Sequence, residues 1–363
     1  MTSEPVIQEP AIGPAVVPAN FASDNTAPAT PEVMAALAEV NSASGPAYGG
    51  DAFTARLERR FADIFEHEVA VFPVATGTAA NALALAACTT PWGLIYCHDG
   101  AHVYEHECGA PEFFSGARVI AVGGAHGKIA VEQLADALDR AGFGSVHESQ
   151  PQAVTLTQAT EAGTLYQTGE IKEIAERVHA RGMKLHMDGA RFANAAAALQ
   201  LSPADITWRA GVDILSFGAT KNGALAAEAV VAFDPAIAAG LAYRRKRGGH
   251  LFSKQRYFSA QLEATLHDGR WLRWAAHANR MAQTLANGLM TIDSAACLHP
   301  VEANEIFIRL PEAVLAGLEK DGFIFHRRPA PNRQVIRLVT SWNTQMPEVE
   351  SFIARAHLHA ARQ

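Results

Sequence analysis

Between about residues 68 and 234, apolar runs of strand length alternate with segments of helical periodicity, and this alternation constrains the chain more than any other feature. The runs are Glu68–Ala75, Gly93–His98, Ala117–Val122, Ala153–Gln158, Met183–Gly189 and Asp213–Lys221. Strands joined by helices build a mostly parallel sheet covered on both faces, so the expected class is α/β. Ligands of such sheets meet the carboxyl ends of the strands. The segments Thr76–Asn81 and Gln158–Glu161, with His102, Asp188 and Lys221, all fall at such ends and should converge on one rim.

With 363 residues, 49% apolar and 18% charged, the chain has the makeup of an ordinary globular protein, and its length suggests two domains. The expected division is an N-terminal arm over residues 1–20, a large domain over 21–250 and a smaller α/β domain over 251–363. Thirty Lys and Arg against 37 Asp and Glu leave a net charge of −7, which gives no support to nucleic-acid binding. No apolar run approaches the roughly 20 residues of a membrane span. The first 20 residues carry no Lys or Arg and so lack the basic start of a secretory signal. Four cysteines, Cys88, Cys97, Cys108 and Cys297, show no CxxC pair, and the expectation is a cytoplasmic protein.

Asp188 ends one apolar run and Lys221 another, with a helix-sized connection between them. A lysine desolvated at the end of a buried strand loses its proton more readily and can attack a carbonyl. A buried carboxylate can hold a pyridinium nitrogen protonated. Together the two residues suit pyridoxal 5'-phosphate, although each alone could be a surface charge at a strand end. Thr76-Gly-Thr-Ala-Ala-Asn81 turns a strand into an Ala-rich helix and would direct unpaired N–H groups at a phosphate.

Other segments leave choices open. His98, His102 and His106 crowd together with Cys97, Cys108, Glu105 and Glu107, but the spacing is not that of HExxH, and we expect no metal. A histidine beside a strand end can equally stack on a flat cofactor. Gly123-Gly-Ala-His-Gly-Lys128 imitates a phosphate loop, one residue short and without the Ser or Thr that should follow the lysine. Tyr48, between glycines in Gly45–Asp51, is either turn packing or a loop aromatic at a site. Thr30 and Asp51 cap helices expected over 31–40 and 52–65. The basic run Tyr243–His250 leads into a helical stretch expected over 254–290. Strands are expected near 305–309, 322–326 and 335–340. Arg337, inside Val-Ile-Arg-Leu-Val, must be paired if buried, either with a substrate carboxylate or in a structural ion pair.

The motifs Leu185-His-Met-Asp-Gly-Ala-Arg-Phe-Ala-Asn-Ala, Ser216-Phe-Gly-Ala-Thr-Lys-Asn-Gly, Tyr48-Gly-Gly-Asp and Thr76-Gly-Thr-Ala-Ala-Asn resemble those of low-specificity L-threonine aldolases. These belong to the β-eliminating lyase group of fold-type I pyridoxal-phosphate enzymes, which share the aspartate aminotransferase fold. The resemblance runs from about Phe21 onward, and the Lys221 motif is similar to a branch that includes phenylserine aldolases. It implies retro-aldol cleavage of L-threonine, L-allo-threonine or L-phenylserine to glycine and an aldehyde. Another fold-type I enzyme, a β-eliminating lyase or aminotransferase, would share every cofactor residue.

By the same resemblance, Lys221 bonds the cofactor, Asp188 pairs with its ring nitrogen, Gly77 and Thr78 bind phosphate and His102 stacks on the ring. Ser23, Tyr48, Arg191 and Arg337 surround the substrate, with Arg191 also a candidate for the cofactor oxygen. Lys254 or Arg247 would reach the phosphate across a subunit interface, which implies at least a dimer and commonly a tetramer. Where the family often has a histidine, this chain has Gln158-Ala-Thr-Glu161, so the base for the β-hydroxyl is His102 or, second, Glu161.

Overall fold

The computed structural model describes residues 17–42 and 44–362. Residues 1–16, most of the expected arm, lie outside the described residues. The anticipated strands form as β1 (Ala70–Val74), β2 (Gly93–His98), β3 (Arg118–Val122), β4 (Gln150–Thr157), β5 (Lys184–Gly189) and β6 (Ile214–Gly218), followed by β7 (Glu228–Ala232). They lie in the order β1-β7-β6-β5-β4-β2-β3. Only β7 runs against its neighbours β1 and β6. Every residue of β2, β6 and β7 is buried, as expected of strands covered on both faces.

The helix Gly77–Cys88 explains how closely one face is covered. Five of its eight buried positions, Ala79, Ala80, Ala82, Ala84 and Ala86, are alanine, so its backbone can approach the sheet. Thr76 caps it, accepting the Ala79 N–H at 3.1 Å. Thr30 and Asp51 likewise cap the helices Pro31–Val40 and Ala52–Phe65. At the carboxyl rim, a Cβ on Gly218 would come within 2.4 Å of the Ala190 carbonyl oxygen, so only glycine permits this approach of β6 to the turn after β5.

Two expectations need correction. The helical stretch 254–290 is divided into Arg256–Leu266 and Arg270–Leu289, because Asp268 (φ 51°) and Gly269 (φ 67°) turn the backbone left-handed between them. The strand near 322–326 shrinks to β10 (His326–Arg327), after β8 (Ala296–Cys297) and β9 (Glu305–Arg309) and before β11 (Val335–Val339). These four make an antiparallel sheet in the order β10-β11-β9-β8.

The apolar cluster under the large sheet includes Phe61, Phe65, Phe192, Phe217 and Trp271 and extends to Ala275. A second cluster gathers Met281, Leu285, Ile306, Ile336 and Phe352 on the small sheet. The division falls within the helix Arg270–Leu289. Ala19 and Phe21, at the other end of the chain, join the second cluster, and Asn20 bridges to Ile324. Among the described residues, no helix is long and apolar enough to cross a membrane.

Candidate active site

Sheet register lines up the centre of the rim. Thr157 of β4 is level with Asp188 of β5, and Asp188 with Ser216 of β6. In a parallel sheet, level residues share a face, so the three side chains form one row. They open into a cavity of about 290 Å³, whose wall also includes Gly77, Thr78, His102, Glu161, Arg191 and Lys221. Seven candidates from the sequence thus meet in one place.

Lys221 sits in a short turn, Thr220–Asn222, just beyond β6. Among the described residues no side chain hydrogen-bonds its Nζ, so the amine is left for something entering the cavity. Asp188 is 2% exposed. Its Oδ1 accepts the Ala190 N–H at 2.9 Å and its Oδ2 accepts from Asn81 Nδ2 at 2.8 Å. The same Asn81 nitrogen donates to Glu107 Oε1 at 2.8 Å, and that oxygen lies 2.9 Å from His102 Nδ1. The hydrogen bond that His102 donates to Glu107 raises the His102 pKa above the ordinary histidine value despite partial burial. Burial pushes the Glu107 carboxyl up, and the pairing with His102 only partly offsets it.

Glu161 accepts the His102 backbone N–H at 2.7 Å and the Thr157 hydroxyl at 2.8 Å, both on Oε1. The residue as a whole is partly exposed, but its Oε2 is sealed from solvent and has no partner. Burial, then the charge of Asp188, lifts this carboxyl to about 7. Glu228, accepting the Ala219 N–H beside Lys221, is likewise raised by burial to about 7.

Arg191 is engaged on two sides. Its Nε and Nη2 donate to Asp24 at 2.7 and 2.9 Å, and its Nη1 lies 2.9 Å from Glu305 Oε2. Burial would raise Asp24, but the Arg191 and Lys221 charges and hydrogen bonds from Arg191 and Asn304 hold it below the usual carboxylate range. Glu305, whose contact with Arg191 lacks hydrogen-bond geometry, stays raised by burial. Asp24 therefore holds the stronger half of this pair.

Ser23, Tyr48, Arg247, Lys254 and Arg337 lie outside the cavity wall. Ser23 caps a turn by accepting the Asn25 N–H at 3.1 Å, and it is Asn25 that reaches the cavity. Arg337 donates to the Ala22 carbonyl at 3.0 Å and keeps a buried, unpartnered Nε. Tyr48 is exposed at φ 58°, its N–H on the Ser253 carbonyl and Lys246 over its ring at 5.2 Å. Sequence reading weighed Glu107 only within the rejected metal cluster and passed over Asp24, Glu228 and Glu305 as site residues. Glu228 and Glu305 each open an apolar strand, so the argument used for Arg337 would have found them.

The family model described as beta-eliminating lyase matches residues 20–313. A low specificity L-threonine aldolase of Pseudomonas aeruginosa is 42% identical over 331 residues, 91% of this chain and 94% of its own. Another, from a Pseudomonas species, is 40% identical over 336 residues, 92% of this chain and 96% of its own. The solved threonine aldolase of Leishmania major superposes with a TM-score of 0.89 at 27% identity, covering 94% of this chain and 100% of that one. Serine palmitoyltransferase of Sphingomonas wittichii, at 13% identity and a TM-score of 0.71 over 94% of this chain and 87% of its own, shares the fold alone. From the matched span, the extent of these identities and the converging rim residues, the chain belongs to the beta-eliminating lyase family.

Proposed function

We propose that the protein is a pyridoxal-phosphate-dependent aldolase that cleaves L-β-hydroxy-α-amino acids between Cα and Cβ, releasing glycine and an aldehyde. L-Threonine and L-allo-threonine are the first substrates of this reading, and L-phenylserine a further one. The observation that carries it is the meeting of Asp188, Lys221 and His102 on one cavity, in a chain 40–42% identical to proteins named L-threonine aldolases.

The residues present fit the cofactor. A Cβ on Gly77 would meet nothing within 4 Å, so a phosphate has room at the N-terminus of the helix Gly77–Cys88, where Gly77 and Thr78 would hold it. Asp188, oriented by Asn81 and Ala190, would hold the ring nitrogen, His102 would stack on the ring and Lys221 would carry the cofactor. Arg191 stands in the wall for the cofactor oxygen. Bound pyridoxal phosphate supplies an electron-withdrawing ring that accepts the electrons of the breaking Cα–Cβ bond.

The chain's own groups do the rest. His102 takes the β-hydroxyl proton, and Glu161, poised near neutrality, is the second candidate. The unpartnered Nε of Arg337, whose Nη2 holds the Ala22 carbonyl next to Ser23, supports the reading of Arg337 and Ser23 as the groups for the substrate carboxylate. Fixing that carboxylate decides which Cα bond faces the ring. Tyr48, Lys246 and the backbone next to Lys254 form one exposed group, which supports the reading that a partner subunit completes the site in a homotetramer. Four unpaired cysteines support a cytoplasmic setting.

Replacing Lys221 tests this reading first. Lys221→Ala should lose both the visible absorption of lysine-bound cofactor and threonine cleavage. Unchanged absorption in the variant would overturn it.

A further inference from the structure

The geometry points to Glu107 as a positioning residue that fixes the working form of His102 and, through the single amide of Asn81, ties it to Asp188. This deepens the aldolase reading and rests on it for its kinetic consequences only.

Glu107 follows the short helix His102–Glu105, and its side chain is fully shielded from solvent. One oxygen, Oε1, serves both His102 Nδ1 at 2.9 Å and Asn81 Nδ2 at 2.8 Å. A carboxylate only accepts, so Nδ1 must carry the hydrogen. In the neutral ring the lone pair then lies on Nε2. The ring is 41% exposed and lines the cavity, which leaves Nε2 as the nitrogen free to take a proton there. Without Glu107, neither the tautomer nor the ring orientation is fixed.

Asn81 makes the link to Asp188 rigid. Its amide nitrogen has two hydrogens, one donated to Glu107 and the other to Asp188, each at 2.8 Å. Flipping the amide would set its oxygen against two carboxylates. The donor that orients Asp188 therefore also orients the carboxylate behind His102.

The arrangement does not serve stability. Glu107 Oε2 is buried with no partner, and so is Asn81 Oδ1. A buried carboxylate with a bare oxygen carries an uncompensated desolvation cost. A glutamine of the same shape would carry no buried charge, so the carboxylate here needs a chemical reason. The other groups facing His102 are Glu161, on its backbone N–H, the His106 ring at 5.7 Å, and Asp188 and Lys221 across the cavity.

The test compares wild type with Glu107→Gln in the full chain. Only neutral imidazole reacts with diethyl pyrocarbonate, so mass-spectrometric rates at His102 against pH report its titration without substrate. The variant's midpoint should move to lower pH. In the aldolase assay kcat should fall about 10²-fold with KM little changed, and the acid limb should move down with the midpoint. Glu107→Asp, which keeps the charge, should retain part of the raised midpoint. If Glu107→Gln does not fold, nitrogen-15 NMR of wild-type His102 decides: hydrogen on Nδ1 supports the assignment, and hydrogen on Nε2 overturns it. An unmoved midpoint overturns it even in an active aldolase. A moved midpoint in a protein without aldolase activity would keep the assignment and sink the aldolase reading.

Discussion

Two groups of buried charge flank the cavity, and they are balanced differently. In one, Arg191 lies between Asp24 and Glu305, so each carboxylate is in direct contact with a fixed cation. In the other, Asp188, Glu107 and Glu161 crowd around Asn81, His102 and the Thr157 hydroxyl, with the second oxygens of Glu107 and Glu161 unpartnered. The first group joins the Asp24 turn, the end of β5 and β9, and holds the wall in shape. In the second, among the described residues, no carboxylate is ion-paired with a Lys or Arg. A protonated ring nitrogen entering the cavity would give Asp188 a counter-charge, which supports Asp188 as its partner.

If the first group is structural, removing its cation should give the largest effect on folding. Arg191→Met leaves two buried carboxylates without their counter-charge, and unfolding free energy should fall by about 3–5 kcal/mol, measured by urea denaturation. A loss below about 1 kcal/mol would break the contrast between the two groups.

The second group should show itself in pH dependence. Burial and Asp188 lift Glu161 from 4.5 to about 7. Its folded pKa lies above its unfolded one, so its contribution is fully present below about 4.5 and is lost as pH rises through about 7. Glu161→Gln has no such titration. The stability of wild type relative to the variant should therefore fall by on the order of 3 kcal/mol across that window. Glu228 titrates in the same range in both proteins and cancels from the difference. A pH-independent difference would show Glu161 to be an ordinary carboxylate.

Neither group should be matched at the surface. Arg177 and Glu173 pair at 3.1 Å with side chains 41% and 53% exposed. Arg177→Ala should change unfolding free energy by no more than about 0.5 kcal/mol.

The sequence made the large sheet legible because alternation is local, and so are the caps at Thr30, Asp51 and Thr76. The break at Asp268-Gly269 was also legible as a turn dipeptide, but helical periodicity on both sides obscured it. The cofactor side of the site came through as strand-end chemistry, since Asp188 and Lys221 follow apolar runs. The pairings did not. Asn81 meets Glu107 and Asp188 across 26 and 107 residues, and Asp24 meets Arg191 across 167, distances at which no pattern in the chain connects them. Residues carried over by resemblance divided accordingly. His102 and Glu161 line the cavity, whereas Ser23, Tyr48, Arg247, Lys254 and Arg337 stand outside its wall.

The most direct test of the central claim is the product of the purified protein acting on L-threonine. Glycine and acetaldehyde in equal amounts, lost together in Lys221→Ala, is the predicted result. Ammonia with a 2-oxo acid, or an exchanged amino group without glycine, would contradict it.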